Sequence, residues 1–171
     1  MSVLNFQDST SLRGEVTIFS TSSETGKTEL LLEDKNLIVL NGRQYLAKGL
    51  VNTATAYVID VAFGSGGTLP SSPSTALPVN ATDTTVNIPI TGLIKNTDYF
   101  FNVIDQSMTA VTPRIVFNII IPTTSALNSQ TINESALMLN TNPETAFAIK
   151  RFANISKSSA ISISINWTIY F

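Results

Sequence analysis

The most regular stretch of the chain is its last eleven residues, ISISINWTIYF. Ile161, Ile163, Ile165, Trp167, Ile169 and Phe171 alternate there with Ser162, Ser164, Asn166, Thr168 and Tyr170. Alternation of period two puts successive side chains on opposite faces of a strand. The segment therefore predicts a strand with Trp167 turned into the core beside Ile165 and Ile169, its last residues packed rather than frayed. GEVTIFS, residues 14–20, places Val16 and Ile18 on one face. TSSETGKTE brings turn chemistry at Thr25, Gly26 and Lys27, and TELLLEDKNLIVL, residues 28–40, reads as one or two further strands. Residues 14–40 thus predict a hairpin.

The period then changes. In NGRQYLAKGLVNT, Leu46, Ala47, Leu50 and Val51 fall at helical spacing and Asn41 can cap. Leu, Ala, Arg, Gln and Lys favour helix, while Gly49 weakens it. One short amphipathic helix is expected over residues 42–51. AYVIDVAFGSGG returns to strand, ended by Gly64, Gly66 and Gly67. Residues 68–84, TLPSSPSTALPVNATDT, carry three prolines and many hydroxyls and predict a long loop. A loop of that length in a small domain is usually functional or touches something. The second half is nearly all β: TVNIPI, TDYFFNVID, PRIVFNIIIP, ESALMLN, AFAIKRF and the final strand. In PRIVFNIIIP both faces are largely apolar, which predicts a strand buried on both sides.

Strands at roughly ten-residue intervals joined by polar turns point to a mainly β fold. The expected form is an antiparallel, jelly-roll-like β-sandwich of eight to ten strands with one short α-helix. The expected organisation is an arm at residues 1–13 and a single domain at 14–171, and 171 residues suit one domain.

Composition narrows the chemistry. The chain has no cysteine and no histidine. That excludes thiol catalysis, thiolate metal sites, Ser-His-Asp chemistry and the usual zinc centres. Charged residues are 13% of the chain, against about 25% in an average globular protein. Serine, threonine and asparagine take their place, a surface suited to contact with neighbours or to the outside of a cell. The net charge of −2 has no basic cluster behind it, so neither nucleic acid nor an anionic membrane is an expected partner. The N-terminus lacks the pattern of a signal peptide, and no apolar run is long enough to span a bilayer. The sequons at Asn80, Asn133, Asn154 and Asn166 are what a chain rich in Asn, Ser and Thr contains by chance.

Few residues suggest a reactive site. GSGG at 64–67 lacks the lysine and following helix of a phosphate-binding loop and reads as a strand end. Asp60 and Glu134 sit in apolar strands and could form a hydrolytic carboxylate pair. The plainer reading pairs them with cations, for which Lys150 and Arg151 are available. Asp83, Asp98 and Asp105 lie near turns without the spacing of a calcium loop. Tyr99, Phe100 and Phe101 could present a sugar-stacking face, or belong to a strand buried on both sides. No catalytic, cofactor-binding or metal-ligating residue is assigned.

The order of segments carries more than any one of them. A hairpin turning near ETGK leads to KNLIVLNGRQYLAKGL, then VIDVAFGSGGT, then a Pro/Ser loop. TINESALML and FAIKRFANISKSSAISISINWTIYF follow. This series resembles small structural proteins of tailed bacteriophages over most of residues 14–171. Those proteins read Asn-Leu-Ile-Val, Gly-Arg, Leu-Ala, an apolar strand into Gly-x-Gly, and a closing Ile-x-Trp-x-Ile-x-Phe strand. Leu40-Asn41-Gly42 stands where Asn-Ala-Gly is usual. The resemblance implies a virion component without catalysis or cofactor, foremost a capsid decoration (cement) protein that binds the major capsid protein. It also implies self-association, with a homotrimer expected because capsid surfaces offer threefold sites. The arm and the long loop are the expected interface, through Phe6, Leu12, Arg13, Leu69, Pro70, Pro73, Leu77 and Pro78. The alternative is a tail, baseplate or fibre protein, which could bind carbohydrate through Tyr57, Tyr99 or Phe100 in an exposed row.

Overall fold

The structure, a computed structural model, describes residues 12–51, 53, 56–107 and 113–171. The fold is mainly β and antiparallel, with one short helix. Eight strands form one sheet: β1 (Arg13–Ser22), β2 (Thr28–Ile38), β3 (Val58–Gly64), β6 (Phe100–Ser107), β7 (Arg114–Ile121), β8 (Thr131–Leu139), β9 (Thr145–Ser156) and β10 (Ile161–Tyr170). Their order is β3-β8-β9-β2-β1-β10-β7-β6. A small hairpin, β4 (Thr68–Leu69) with β5 (Ser72–Ala76), forms its own two-stranded sheet against β9, and α1 spans Leu40–Leu50.

The sheet curls until its two ends face each other. Phe63 on β3 meets Tyr99, just before β6, edge to face at 5.6 Å between ring centroids. Val16, Ile18, Ile119, Ile121, Leu137, Leu139, Ile163, Ile165, Trp167 and Ile169 fill the space between. The alternation of the terminal segment is realised residue by residue. Ile163, Ile165, Trp167 and Ile169 are buried while Ser164, Asn166 and Thr168 face outward. The hairpin turn expected near Gly26 is present. Gly26 adopts φ +69°, a left-handed conformation that favours glycine, and its N–H bonds to Ser22 O.

Several expectations need correction. The strand buried on both faces is β8, not β7. On β7, Phe117, Ile119 and Ile121 are inside, but Ile120 is exposed and Val116 and Asn118 are half-buried. β8 is buried along almost all its length, because residues 77–90 cross its outer side. A second, smaller core lies there, with Val39, Val86, Ala136, Met138, Ala146 and Ile149, flanked by Leu37 and Val79. TVNIPI is correspondingly not a strand. It runs along the edge of β3 through a single bridge, Gly64 to Pro89, with Ser65 N–H to Ile88 O and Ile90 N–H to Phe63 O. Pro89 has no N–H to extend the ladder.

Residues 68–84 are not a loop throughout, since they hold the β4–β5 hairpin. Arg13 belongs to β1, paired with Tyr170, rather than to an arm. The helix starts two residues before its expected position. Val39, not Asn41, is its N-cap, with no side-chain cap bond. It touches the sheet through Gly42, where an added Cβ would lie 2.3 Å from the Phe147 carbonyl oxygen, and through Tyr45 and Leu46. Ala47, Leu50 and Val51 face solvent.

Candidate functional site

The β4–β5 hairpin lies against β9 beside a buried polar cluster, and the cluster begins at a flaw in the sheet. Between Ile132 and Glu134 the register of β8 on β9 slips, which frees Asn133 from regular pairing while Glu134 stays opposite Arg151. The Asn133 side chain accepts from Gly67 N–H at 2.6 Å. Its amide donates to Ser65 O, Thr68 Oγ1 and Asn154 Oδ1 at 2.9–3.1 Å. Thr68 Oγ1 donates in turn to Asn154 Oδ1 at 2.8 Å. Leu77 N–H reaches Gly67 O and closes the hairpin at its base.

Glu134 lies beside this, 0% exposed. One carboxylate oxygen accepts from Gly66 N–H at 3.0 Å and Ile88 N–H at 3.1 Å, the other from Arg151 Nε at 3.3 Å. Arg151, 4% exposed and the cross-strand neighbour of Glu134, donates onward to Asp83 at 3.0 Å, to Asn87 at 2.7 Å and to the Pro78 carbonyl. Two buried side chains thus tie both ends of the 68–88 region to the sheet. Burying a charge is costly unless it is paired and hydrogen-bonded, and here both members are.

The glycines at 64–67 are required by this closeness, not by flexibility. A Cβ at Gly67 would sit 2.1 Å from the Asn133 carbonyl oxygen, and one at Gly64 2.5 Å from the Glu134 carboxylate. The anchored hairpin displays apolar residues among the exposed hydroxyls of Ser71, Ser74 and Thr75. Leu69 is 51% exposed, Pro70, Pro73 and Pro78 are exposed, and Leu77 is half-buried. Of the other expected interface residues, Leu12 packs against the main core. Arg13 lies over the Tyr170 ring at 4.4 Å. Phe6 falls outside the described residues. The structure therefore groups five of the eight on and just after one hairpin and separates Leu12 and Arg13 from them.

The proposed carboxylate pair is not assembled. Glu134 is bound to Arg151 as above, whereas Asp60 lies 3.7 Å from Lys95 and accepts from its neighbouring Val61 N–H. Lys150 pairs with Asp34 at 2.5 Å, and that carboxyl is held below the usual carboxylate range by this bond and by Lys35 N–H. Asp98 accepts from Ile94 and Ala126 N–H, both at 2.7 Å. Those two bonds hold its carboxyl below the ordinary range. Asp105 pairs with Arg114 on the surface. Among the described residues no three acidic side chains group as metal ligands do.

The aromatic triplet splits. Tyr99 is buried, and burial, with the Asp60 carboxylate adding to it, pushes its hydroxyl well above the usual tyrosine range. Phe101 stacks on Phe117 at 5.5 Å. Phe100 stands on the outer face at the start of β6, 38% exposed, and Tyr57, just before β3, is 64% exposed.

One apolar cavity of about 300 Å³ opens beneath α1. Tyr45, Leu46, Phe147, Phe117 and Phe171 wall it, and Gln106 brings a polar group to it. Sequence reasoning missed it because its walls come from seven separated segments, none distinctive alone. No known family model matches the chain, and no curated protein or solved structure is detectably similar to it.

Proposed function

We propose that the protein is a non-enzymatic structural component of a bacteriophage virion, a capsid decoration protein that clamps neighbouring subunits of the shell. The observation that carries this reading is the hairpin. An exposed apolar tip, Leu69, Pro70 and Pro73, stands on a base fixed by Asn133, Glu134 and Arg151. A rigid hairpin loses little conformational entropy on docking. Apolar residues at its end gain from burial. The scarcity of charge and the resemblance in segment order support the same role.

In this reading the tip of each copy seats on the major capsid protein. Copies associate as homotrimers at threefold points of the shell. Binding only the assembled, expanded lattice stabilises that lattice by mass action. No catalysis or cofactor enters. Attachment to tail or baseplate uses the same hairpin against a different partner and is the second reading.

Co-sedimentation of the protein with expanded shells tests it. Leu69→Ser with Pro73→Ser should lower the bound fraction at least tenfold without moving the unfolding midpoint. A tenfold loss corresponds to about 1.4 kcal/mol, within the transfer free energy of one apolar side chain. Unchanged sedimentation of that variant removes the hairpin from the interface.

A further inference from the structure

The outer face of five adjacent strands, β2, β1, β10, β7 and β6, carries two rows of side chains set by the register. Leu30, Phe19, Ser164, Ile120 and Phe100 are successive cross-strand neighbours and form one row. Glu33, Thr17, Asn166, Asn118 and Asn102 form the next. Ile18, Ile165, Ile119 and Phe101, which separate the rows along their strands, turn to the main core, so both rows point outward. Each row covers four strand spacings, about 19 Å, and two residues part the rows, about 7 Å.

The first row is apolar apart from Ser164. Leu30, Ile120 and Phe100 are exposed there and Phe19 is half-buried. Exposed apolar groups gathered in one patch mark an interaction site. The second row is amide and hydroxyl, and its centre is fixed by hydrogen bonds. Asn118 Nδ2 donates to Asn166 Oδ1 at 2.8 Å and to Ser164 Oγ at 3.2 Å. An amide nitrogen carries two N–H groups, so both are used. The bonds leave Asn118 Oδ1 as an acceptor and Asn166 Nδ2 as a donor, one strand spacing apart, about 5 Å.

We propose that this face binds a neutral glycan, with sugar hydroxyls on the amide row and the C–H surface of the rings on the apolar row. A hydroxyl both donates and accepts, so a vicinal pair satisfies Asn118 Oδ1 and Asn166 Nδ2 together. The same ring brings an apolar C–H surface, which Ile120 and Phe100 meet beside those amides. Amides already held in place lose little freedom on binding. Glu33 is the one charged residue of the ten and stands at the end of its row, which selects a neutral chain over an anionic one. Of the aromatic residues expected to meet carbohydrate, Phe100 belongs to this face, while Tyr99 is buried and Tyr57 precedes β3. Neither row contains a hairpin residue, so the site is separate from the proposed contact with the shell.

An array of immobilised neutral oligosaccharides, probed with the fluorescently labelled full-length protein, tests the proposal. At least one should bind. Asn118→Ala and Phe100→Ser should each lower that signal at least tenfold. Asn102 is exposed, so Asn102→Ala should weaken binding several-fold at an unchanged unfolding midpoint, which separates lost contact from lost fold. Leu69→Ser, in the hairpin, should leave glycan binding intact whatever it does to shell binding. Periodate, which cleaves the carbon–carbon bond between vicinal hydroxyls, should abolish binding to the treated glycan. Absence of binding across the array overturns the proposal. So does binding that all three face variants retain, or that survives periodate. If Phe100→Ser instead abolishes self-association of a protein that binds no glycan, the face belongs to a second copy and the proposal fails.

Discussion

Replacing Glu134 by glutamine should cost the fold about 3–5 kcal/mol, the usual cost of breaking a buried ion pair from one side. The magnitude follows from what the exchange changes. The glutamine side chain keeps an oxygen for Gly66 and Ile88 N–H, which bond to the native carboxylate at 3.0 and 3.1 Å. It presents an amide donor to Arg151 Nε, itself a donor 3.3 Å away. The guanidinium then stays buried with only Asp83 as an anionic partner. Arg151→Met makes the reverse error and strands a fully buried carboxylate on two N–H groups, at a similar cost.

The double variant removes both charges and should lose much less than the sum, by at least about 2 kcal/mol, since residues in one network are not additive. Urea unfolding of the four proteins measures this cycle directly. Thermal midpoints should fall by about 6–20 °C for the single variants, at roughly 2–4 °C per kcal/mol for a domain of this size. A Glu134→Gln loss below about 1 kcal/mol would refute the reasoning. So would single losses that add to within about 0.5 kcal/mol. The network would then be a bystander, and the hairpin base would owe its position to the second core.

Other outcomes are equally specific. Gly67→Ala forces a methyl against the Asn133 carbonyl and should destabilise by about 1–3 kcal/mol, as overpacking does, read from the urea midpoint. Tyr99 has a hydroxyl raised by burial in the folded state. The stability tied to its neutral form is complete below the unfolded value near 10 and falls as pH rises above that. Tyr99→Phe should therefore flatten the alkaline limb of a stability–pH curve, and an unchanged limb contradicts the assignment. Asp98 is the opposite case. Its folded value is depressed by Ala126 and Ile94 N–H, so its contribution is present above about pH 4 and lost as pH falls through the folded value. The gap in stability between the natural protein and Asp98→Asn should narrow with acid titration, and a gap constant from pH 7 to pH 2 would contradict this.

Alternation made most strands legible, because a face buried in one core leaves a period of two in the sequence. The terminal strand, the first hairpin and the inward Trp167 follow from that alone. β8 was harder to read because it is buried on two faces against different material. One side meets the main core and the other a segment distant in sequence, and Asn133, Glu134 and Ser135 look like surface residues until residues 65–88 cover them. A pairing of Glu134 with Arg151 was within reach of the sequence, as both stand in apolar strands. The partner loop was not, because Pro78, Asp83 and Asn87 are ordinary turn residues whose role depends on where the chain returns. The helix was placed by its period, but its inward contact depends on Gly42, which carries no hydrophobic signal.

The most direct test of the proposed virion role is cryo-electron microscopy of particles purified from the source of the chain, with the protein labelled by antibody. The account predicts density on the outer capsid surface at threefold or quasi-threefold points, with the β4–β5 tip against the shell. Density confined to the tail or baseplate, or absence of the protein from particles, contradicts it.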